Sequence, residues 1–403
     1  MTSSAPAAQA LPSATKTTIL LLAFAGFLGG AALRICDALL PRIAQDFGGT
    51  PGAAGLVIIS FSVAYGLMQL LFGPLGDRYG KTRIVCVAMF GCVAGSVASA
   101  LADSFSTLVA MRVLWGMAAA GVIPLSVAWV GDAVPYEQRQ AMLARLLTGT
   151  LMGMMGGQLA GGLFADSAPG WRGAFLALAG GYLLVAVTIL LRLRSIPEMV
   201  ADRSQPRPTF VWQLLSVLRT PWARVVLGQI VIEGIFLMGP LAYLPAYLHQ
   251  RFGMSLSAAS ALIALYAVGG LLYAFLVRHL VRRFGERRMV LAGGLFIGLG
   301  YFAWWLSPVA LLAGPIAFLA GFGTHLYHNT LQTHATQMVP AARGTAMACF
   351  AFCLFTGQAI GVSLAGYAFD HIGPTPLLLV PALLLPLAAW LFARALQRRN
   401  QAA

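Results

Sequence analysis

Twelve apolar stretches, each near the roughly 20 residues that carry a helix across a bilayer, recur along the chain at residues 17–40, 52–72, 84–102, 106–131, 142–165, 172–193, 224–247, 256–278, 289–306, 309–333, 345–368 and 374–394. Short polar turns part most of them. The third and fourth, and the ninth and tenth, are joined so briefly that hydropathy alone runs them together. One longer break, at residues 194–223, is rich in Arg, Pro, Asp and Gln. The pattern predicts an all-α polytopic membrane protein with twelve transmembrane helices in two six-helix bundles, residues 17–193 and 224–394. A disordered N-terminal segment 1–16, a linker 194–223 and a C-terminal tail 395–403 complete the division. Inside the linker, Phe210-Val211-Trp212-Gln213-Leu214-Leu215 predicts an amphipathic helix on the membrane surface.

Composition removes the soluble alternative. With 59% hydrophobic and 9% charged residues among 403, and a mean hydropathy of +0.81, the chain holds more apolar surface than one water-soluble core can cover. The net charge of +14 suggests a nucleic-acid partner until its placement is considered. All Lys and Arg except Arg34, Arg42, Arg112, Arg172 and Arg251 fall on alternate loops, as the positive-inside rule requires when both termini are cytoplasmic. No nucleic acid is therefore expected. Met1 to Thr15 lacks the basic start of a secretory signal and is expected to stay uncleaved. Cys36, Cys86, Cys92, Cys349 and Cys353 form no CxxC pair and read as packing residues.

The halves repeat each other. A shift of about 205 residues lays Tyr79-Gly80 on Phe284-Gly285, and Lys81 and Arg83 on Arg287-Arg288. The second copy is degenerate, with Arg282 in the place of Asp77 and Arg278 in the place of Gly73. Pro135 and Pro340 each precede an arginine, Arg139 or Arg343, and Gly157-Gln158-Leu159-Ala160-Gly161 matches Gly357-Gln358-Ala359-Ile360-Gly361. The two bundles are thus expected to be pseudo-symmetric.

Gly73-Pro74-Leu75-Gly76-Asp77-Arg78-Tyr79-Gly80-Lys81-Thr82-Arg83 sets a charged, glycine-spaced turn between two apolar stretches. Gly73 and Gly80 suit close helix contact and a tight turn, and Asp77 suits the positive end of a neighbouring helix. A plain basic anchor for two helices is the simpler reading. The run closely resembles the loop between the second and third helices of the major facilitator superfamily. Asp132-Ala133-Val134-Pro135-Tyr136-Glu137-Gln138-Arg139 resembles a second loop signature of that superfamily, and Leu108 to Gly116, around Arg112, resembles its fourth-helix motif. Gly149, Gly153, Gly157, Gly161 and Gly162 are similar to the antiporter motif of drug-efflux members, except that Gln158 stands where those have proline. That departure weakens the antiporter implication, and a simple packing stripe explains the glycines equally well.

The resemblance covers nearly the whole chain and implies the twelve-helix fold with a substrate site between the halves. It implies that the Gly73 to Arg83 turn is cytoplasmic and that Asp77 and Arg78 form a charge latch with Asp132 and Arg139. It links Arg112 to proton coupling. No cofactor is implied, and the chain has no phosphate-binding loop, zinc-protease pattern or GxSxG to mark an enzyme.

Charges inside a bilayer cost about 2.5–3.5 kcal/mol each on insertion scales, so the few present are functional candidates. Arg34 and Asp37 lie three apart on one helix face. Asp37 either alternates between a proton and Arg34, or the two form a plain ion pair at the interface. Arg112, at a similar depth, either tunes Asp37 or snorkels outward. Glu233, near the middle of the seventh stretch with Met238 following, needs either a proton or a partner from another helix. The tenth stretch ends in the polar run from Thr324 to His334, where His325, His328 and Gln332 share a face and Asn329 lies beside them. Substrate hydrogen bonding, proton relay and metal binding assisted by Met152, Met154, Met155 or Met238 all stay open there. Gln158 and Gln358 add hydrogen-bonding groups to the cavity wall.

The expected function is proton-coupled secondary transport of small organic molecules across the inner membrane by alternating access, in the direction of efflux, by a monomer. An organic-anion transporter with Arg34 and Arg112 as the carboxylate clamp is the alternative, and a transition-metal transporter using His325 and His328 is the third reading.

Overall fold

A computed structural model describes residues 11–196 and 209–402, and all regular structure among them is helical. In chain order the rods are α1 (Ser13–Arg34), α2 (Pro51–Tyr79), α3 (Lys81–Ala100), α4 (Phe105–Ala133), α5 (Tyr136–Ala165), α6 (Gly170–Arg192), α7 (Pro221–Phe252), α8 and α9 (the two arms of Leu256–Leu306), α10 (Ala313–Gln337), α11 (Arg343–His371) and α12 (Pro374–Ala402). Ten helices among the described residues are long and apolar enough to cross a bilayer. Leu256–Leu306 counts once in that ten although Gly285, at φ 70°, breaks it, and the more polar α5 lies outside it. Counting both arms and α5 gives the twelve rods expected. The pair that runs together is the eighth and ninth rather than the ninth and tenth.

Gly80 (φ 96°) and Gly285 (φ 70°) have the positive φ that glycine alone tolerates freely. The 205-residue shift thus aligned two turns of the same kind. α1 starts at Ser13, within the segment expected to be disordered, and α12 runs to Ala402, so most of the expected tail is helix. The linker falls partly outside the described residues, at 197–208. Its surface helix is present as Phe210–Arg219: Thr209 caps it by accepting from Trp212 N, Val217 is buried, and Val211, Trp212 and Leu215 stay exposed.

The halves are assembled by backbone contact. In α5, a Cβ on Gly149, Gly153, Gly157 or Gly161 would collide with the carbonyl oxygens of Ala23, Phe27, Ala31 or Ile35 in α1. In α11, Gly357 and Gly361 meet the carbonyls of Val231 and Ile235 in α7 in the same way. A register of 204 residues therefore pairs Gly153 with Gly357 and Gly157 with Gly361. The likeness of Gly157-Gln158 to Gly357-Gln358 is one helical turn out of that register.

One buried core gathers residues of α1 to α6, joined by Ala242, Tyr243, Leu256, Val362, Ala365 and Leu377. A second gathers residues of α7 to α12. Large apolar side chains such as Leu184, Leu191, Phe275 and Leu383 are turned outward, as a lipid-facing surface requires. Because the rods alternate in direction, both chain ends and the Gly80 and Gly285 turns lie on one face, here the tail face. The turns near Asp46, Asp166, Gly253 and Gly373 lie on the opposite, far face.

Candidate functional site

The ion pair foreseen at the end of the first span is present, but on different backbone. α1 ends at Arg34, and Asp37 sits in the turn that follows rather than on the helix face. Arg34 Nη1 donates to Asp37 Oδ2 at 3.2 Å, and Nη2 lies 2.9 Å from Met238 Sδ across the junction of the halves. Asp37 is 1% exposed and its Oδ1 has no protein partner.

Arg112 does not snorkel. Its Nε donates to Val57 O at 3.1 Å, and its guanidinium lies 4.1 Å from the ring centre of Phe61 and 4.7 Å from that of Trp115. Aromatic faces attract the cation and replace part of its lost hydration.

Glu233 finds the partner that its own helix lacks. Fully buried, its Oε1 shares a hydrogen bond of 2.7 Å with His328 Nδ1 on α10, while Oε2 has no protein partner. The next five residues, Gly234–Met238, form a π-helical turn, and Gly239-Pro240 follow. Such turns place one residue too many in the helix and are frequent at functional sites. Close approach to α11 fixes the position: a Cβ on Gly234 would meet Leu354 O.

The rest of the polar run is divided among partners. His325 Nδ1 is 2.8 Å from Gly321 O and its ring packs on Gly270. Asn329 is half-buried, and Thr324 accepts from Tyr266 at 2.7 Å. Gln332 is half-buried. His325 is thus tied through Nδ1 to a carbonyl and His328 through Nδ1 to Glu233. Among the described residues, no group of three His, Cys, Asp or Glu is arranged to hold a metal. Gln158 and Gln358 are both buried, and Gln158 Nε2 has no protein partner.

The tail-face loop differs in detail from its expected roles. Gly73 is exposed with open space around it, and Gly76 is the close-contact glycine, packed on Leu125. Lys81 is the hub: Nζ lies 2.6 Å from Asp132 Oδ2 and 3.1 Å from Asp77 Oδ1. Arg139 donates to Val134 O, Arg78 stacks on Tyr79, and Arg83 is exposed. These contacts tie α2, α3 and α4 within one half.

On the far face the halves meet closely. Tyr243 OH donates to Val362 O of its own half at 3.2 Å and to Gly52 O of the other at 3.4 Å, and deeper in, at mid-length of α2 and α11, the rings of Tyr65 and Phe355 lie 4.5 Å apart. On the tail face a cleft of about 630 Å³ is lined by Gln140 of α5 and Val277, Arg278, Val281 and Arg282 of α8. Tyr243, Tyr266 and Tyr273 were not singled out from the sequence, because a tyrosine in an apolar stretch carries no signal until its partner is known.

The comparisons agree with this architecture. The model of the Major Facilitator Superfamily matches residues 22–340 and 260–403. A probable transporter of Streptomyces coelicolor is 29% identical over 390 residues, covering 92% of this chain and 87% of that one. The 4-hydroxybenzoate transporter PcaK of Pseudomonas aeruginosa is 26% identical, covering 95% and 94%. MdtD of Cronobacter sakazakii, provisionally named a multidrug resistance protein, is 26% identical, covering 90% and 88%. Among solved structures, a bacterial homolog of the human lysosomal transporter Spinster has the same fold, with a TM-score of 0.73 at 18% identity over 96% of this chain and 98% of that one. Glycine-bonded helix pairs, a duplicated turn and the whole-chain match lead to one conclusion: this chain belongs to the major facilitator superfamily and is a transporter of small substrates, not an enzyme.

Proposed function

We propose that this chain exports small organic cations in exchange for protons by alternating access, and that Glu233 with His328 carries the proton. The observation behind this reading is a fully buried carboxylate with one oxygen bound to an imidazole and the other without a protein partner. With its shared proton the pair is neutral overall. Without it, Glu233 is an anion beside a neutral ring, and only that form attracts an organic cation. Proton and cation therefore compete for one carboxylate, which is the logic of antiport. The name given to MdtD supports the outward direction.

In this reading the tail face is cytoplasmic, the chain sits as a monomer in the inner membrane, and the bundles 17–193 and 224–394 rock about the site. The closed far face and the tail-face cleft support an inward-facing assignment of the described state in this reading. Arg34 favours a second reading. Its Nη2 touches only a thioether, a weak acceptor that an organic carboxylate would readily replace, and PcaK is named for such an acid.

Proton movement in proteoliposomes separates the two. Lipophilic cations are expected to drive proton exchange that is lost in Glu233→Gln and His328→Gln and retained in Arg34→Gln. Unchanged exchange in Glu233→Gln would sink the cation reading. Flux evoked only by organic acids and lost in Arg34→Gln establishes the second.

A further inference from the structure

We propose that the far face is locked by two carboxylates, Asp166 and Asp370, each of which caps a helix of the opposite half. Both end the same short pattern. Gly162-Leu163-Phe164-Ala165-Asp166 closes α5, and Gly366-Tyr367-Ala368-Phe369-Asp370 closes α11, 204 residues later. Asp166 Oδ1 accepts from Leu256 N at 3.2 Å and Oδ2 from Ser257 N at 2.8 Å, at the start of α8. Asp370 Oδ1 accepts from Gly52 N at 3.0 Å and Oδ2 from Thr50 Oγ1 at 2.5 Å, at the start of α2.

The division of labour is the same at both ends. A helix begins with four backbone N–H groups that have no partner within it. The helix's own cap covers the third position, Thr50 Oγ1 accepting from Ala53 N and Ser255 Oγ from Ala258 N. The other half's carboxylate covers the first and second. In α2 the first position is Pro51, which has no N–H, and there the second oxygen takes the Thr50 hydroxyl instead. The glycines let the helices come near enough. A Cβ on Gly162 would meet Ser260 and Leu256 O, and one on Gly366 would meet Gly52. Negative charge at a helix start is also favoured by the aligned peptide dipoles.

Each cap spans the junction, so parting the halves at the far face breaks both together and passes the released N–H groups to water. The lock thus biases the equilibrium between far-closed and far-open states without touching cargo or proton. It rests on the alternating-access reading above.

Cys36, buried beneath this face beside Asp37, supplies the probe. With the other four cysteines changed to alanine, the rate at which a membrane-impermeant thiosulfonate added outside intact cells labels Cys36 measures the far-open fraction. Asp166→Asn and Asp370→Asn keep one accepting oxygen but lose the other and the charge at the helix start; each is expected to raise that rate about threefold, and the double variant about ninefold. Asp46→Asn, which removes only contacts inside the first half with Arg42, Trp171 and Arg172, is expected to leave it unchanged. Ser257→Pro removes the N–H and hydroxyl donors of the second position, within the first helical turn where proline is tolerated, and raises the rate without altering a carboxylate, which covers the case of an Asp variant that fails to fold. A double variant labelled at the wild-type rate, or a rise equalled by Asp46→Asn, overturns the lock. A wild type never labelled from outside, even with a transported cation present, instead overturns the transport reading.

Discussion

The two halves share their scaffold and not their chemistry. At the 204-residue register, Gly153 and Gly157 of the first half answer Gly357 and Gly361 of the second, and both pairs press on carbonyl oxygens of the neighbouring rod. The charged groups buried within the bundles have no such answer, unlike Asp166 and Asp370 at the far face. Opposite Asp37 stands Leu241, opposite Arg112 stands Ile316, and opposite Glu233 stands Gly29. Arg34 has as its counterpart Met238, the residue it touches. Backbone packing was kept in duplicate because both bundles need it. Each of these buried charges, costly wherever it stands, is present in one copy only.

The largest test of that contrast lies in the glycine rows. Gly157→Leu and Gly361→Leu are each expected to lose about 3 kcal/mol or more of stability through forced overpacking, seen as a collapse in folded, monodisperse yield. Tolerance in one half alone would break the symmetry claimed for the scaffold. Next comes Arg112→Lys, which keeps the charge but loses the planar stack on Phe61 and Trp115. A loss of about 1–2 kcal/mol in thermal unfolding is expected, against less than about 1.5 kcal/mol for Ile316→Leu at the matching place. An equal or smaller loss for Arg112→Lys would mean that the ring contacts contribute little.

The smallest effect concerns pH and a single cap. Burial alone would raise the carboxyl of Asp166, but the Ser257 hydroxyl, the N–H groups of Ser257 and Leu256 and the nearby charge of His249 outweigh it and hold the group below 3.8. A lowered value means that its stabilisation is complete above the ordinary aspartate range and is lost as pH falls through the lowered one. The difference in melting temperature between wild type and Asp166→Asn is therefore expected not to fall between about pH 8 and 5, where the growing charge of His249 only adds to it, and to shrink below about pH 4. A difference that fades between pH 7 and 5 would assign the cap a proton-sensing role that this geometry denies it.

Much of the scaffold was legible in the sequence because it follows from local pattern. Apolar length marked the rods, and the aligned Gly80 and Gly285 marked two turns whose φ values agree. Register was harder. Gly73 and Gly76 are equally good glycines on paper, and which of them meets Leu125 depends on a helix rotation that hydropathy does not encode. The site was legible only in single residues. Glu233 announced a need for a partner, yet His328 lies 95 positions away and is chosen by how α10 packs on α7. The Gly-x-x-x-Asp pattern was visible twice in the text, but its meaning depends on a helix start contributed by the other half.

Glycine set against a carbonyl oxygen leaves no side chain that can yield by changing rotamer. α1 with α5, and α7 with α11, are for that reason splinted pairs, each moving as one beam. At 30 residues, α5 is about 45 Å long, so a fulcrum near its middle leaves two nearly equal arms. Under the alternating access proposed above, whatever width one mouth gains, the other gives up, as on a seesaw. A softer joint of interleaved leucines would have absorbed part of that travel where it began.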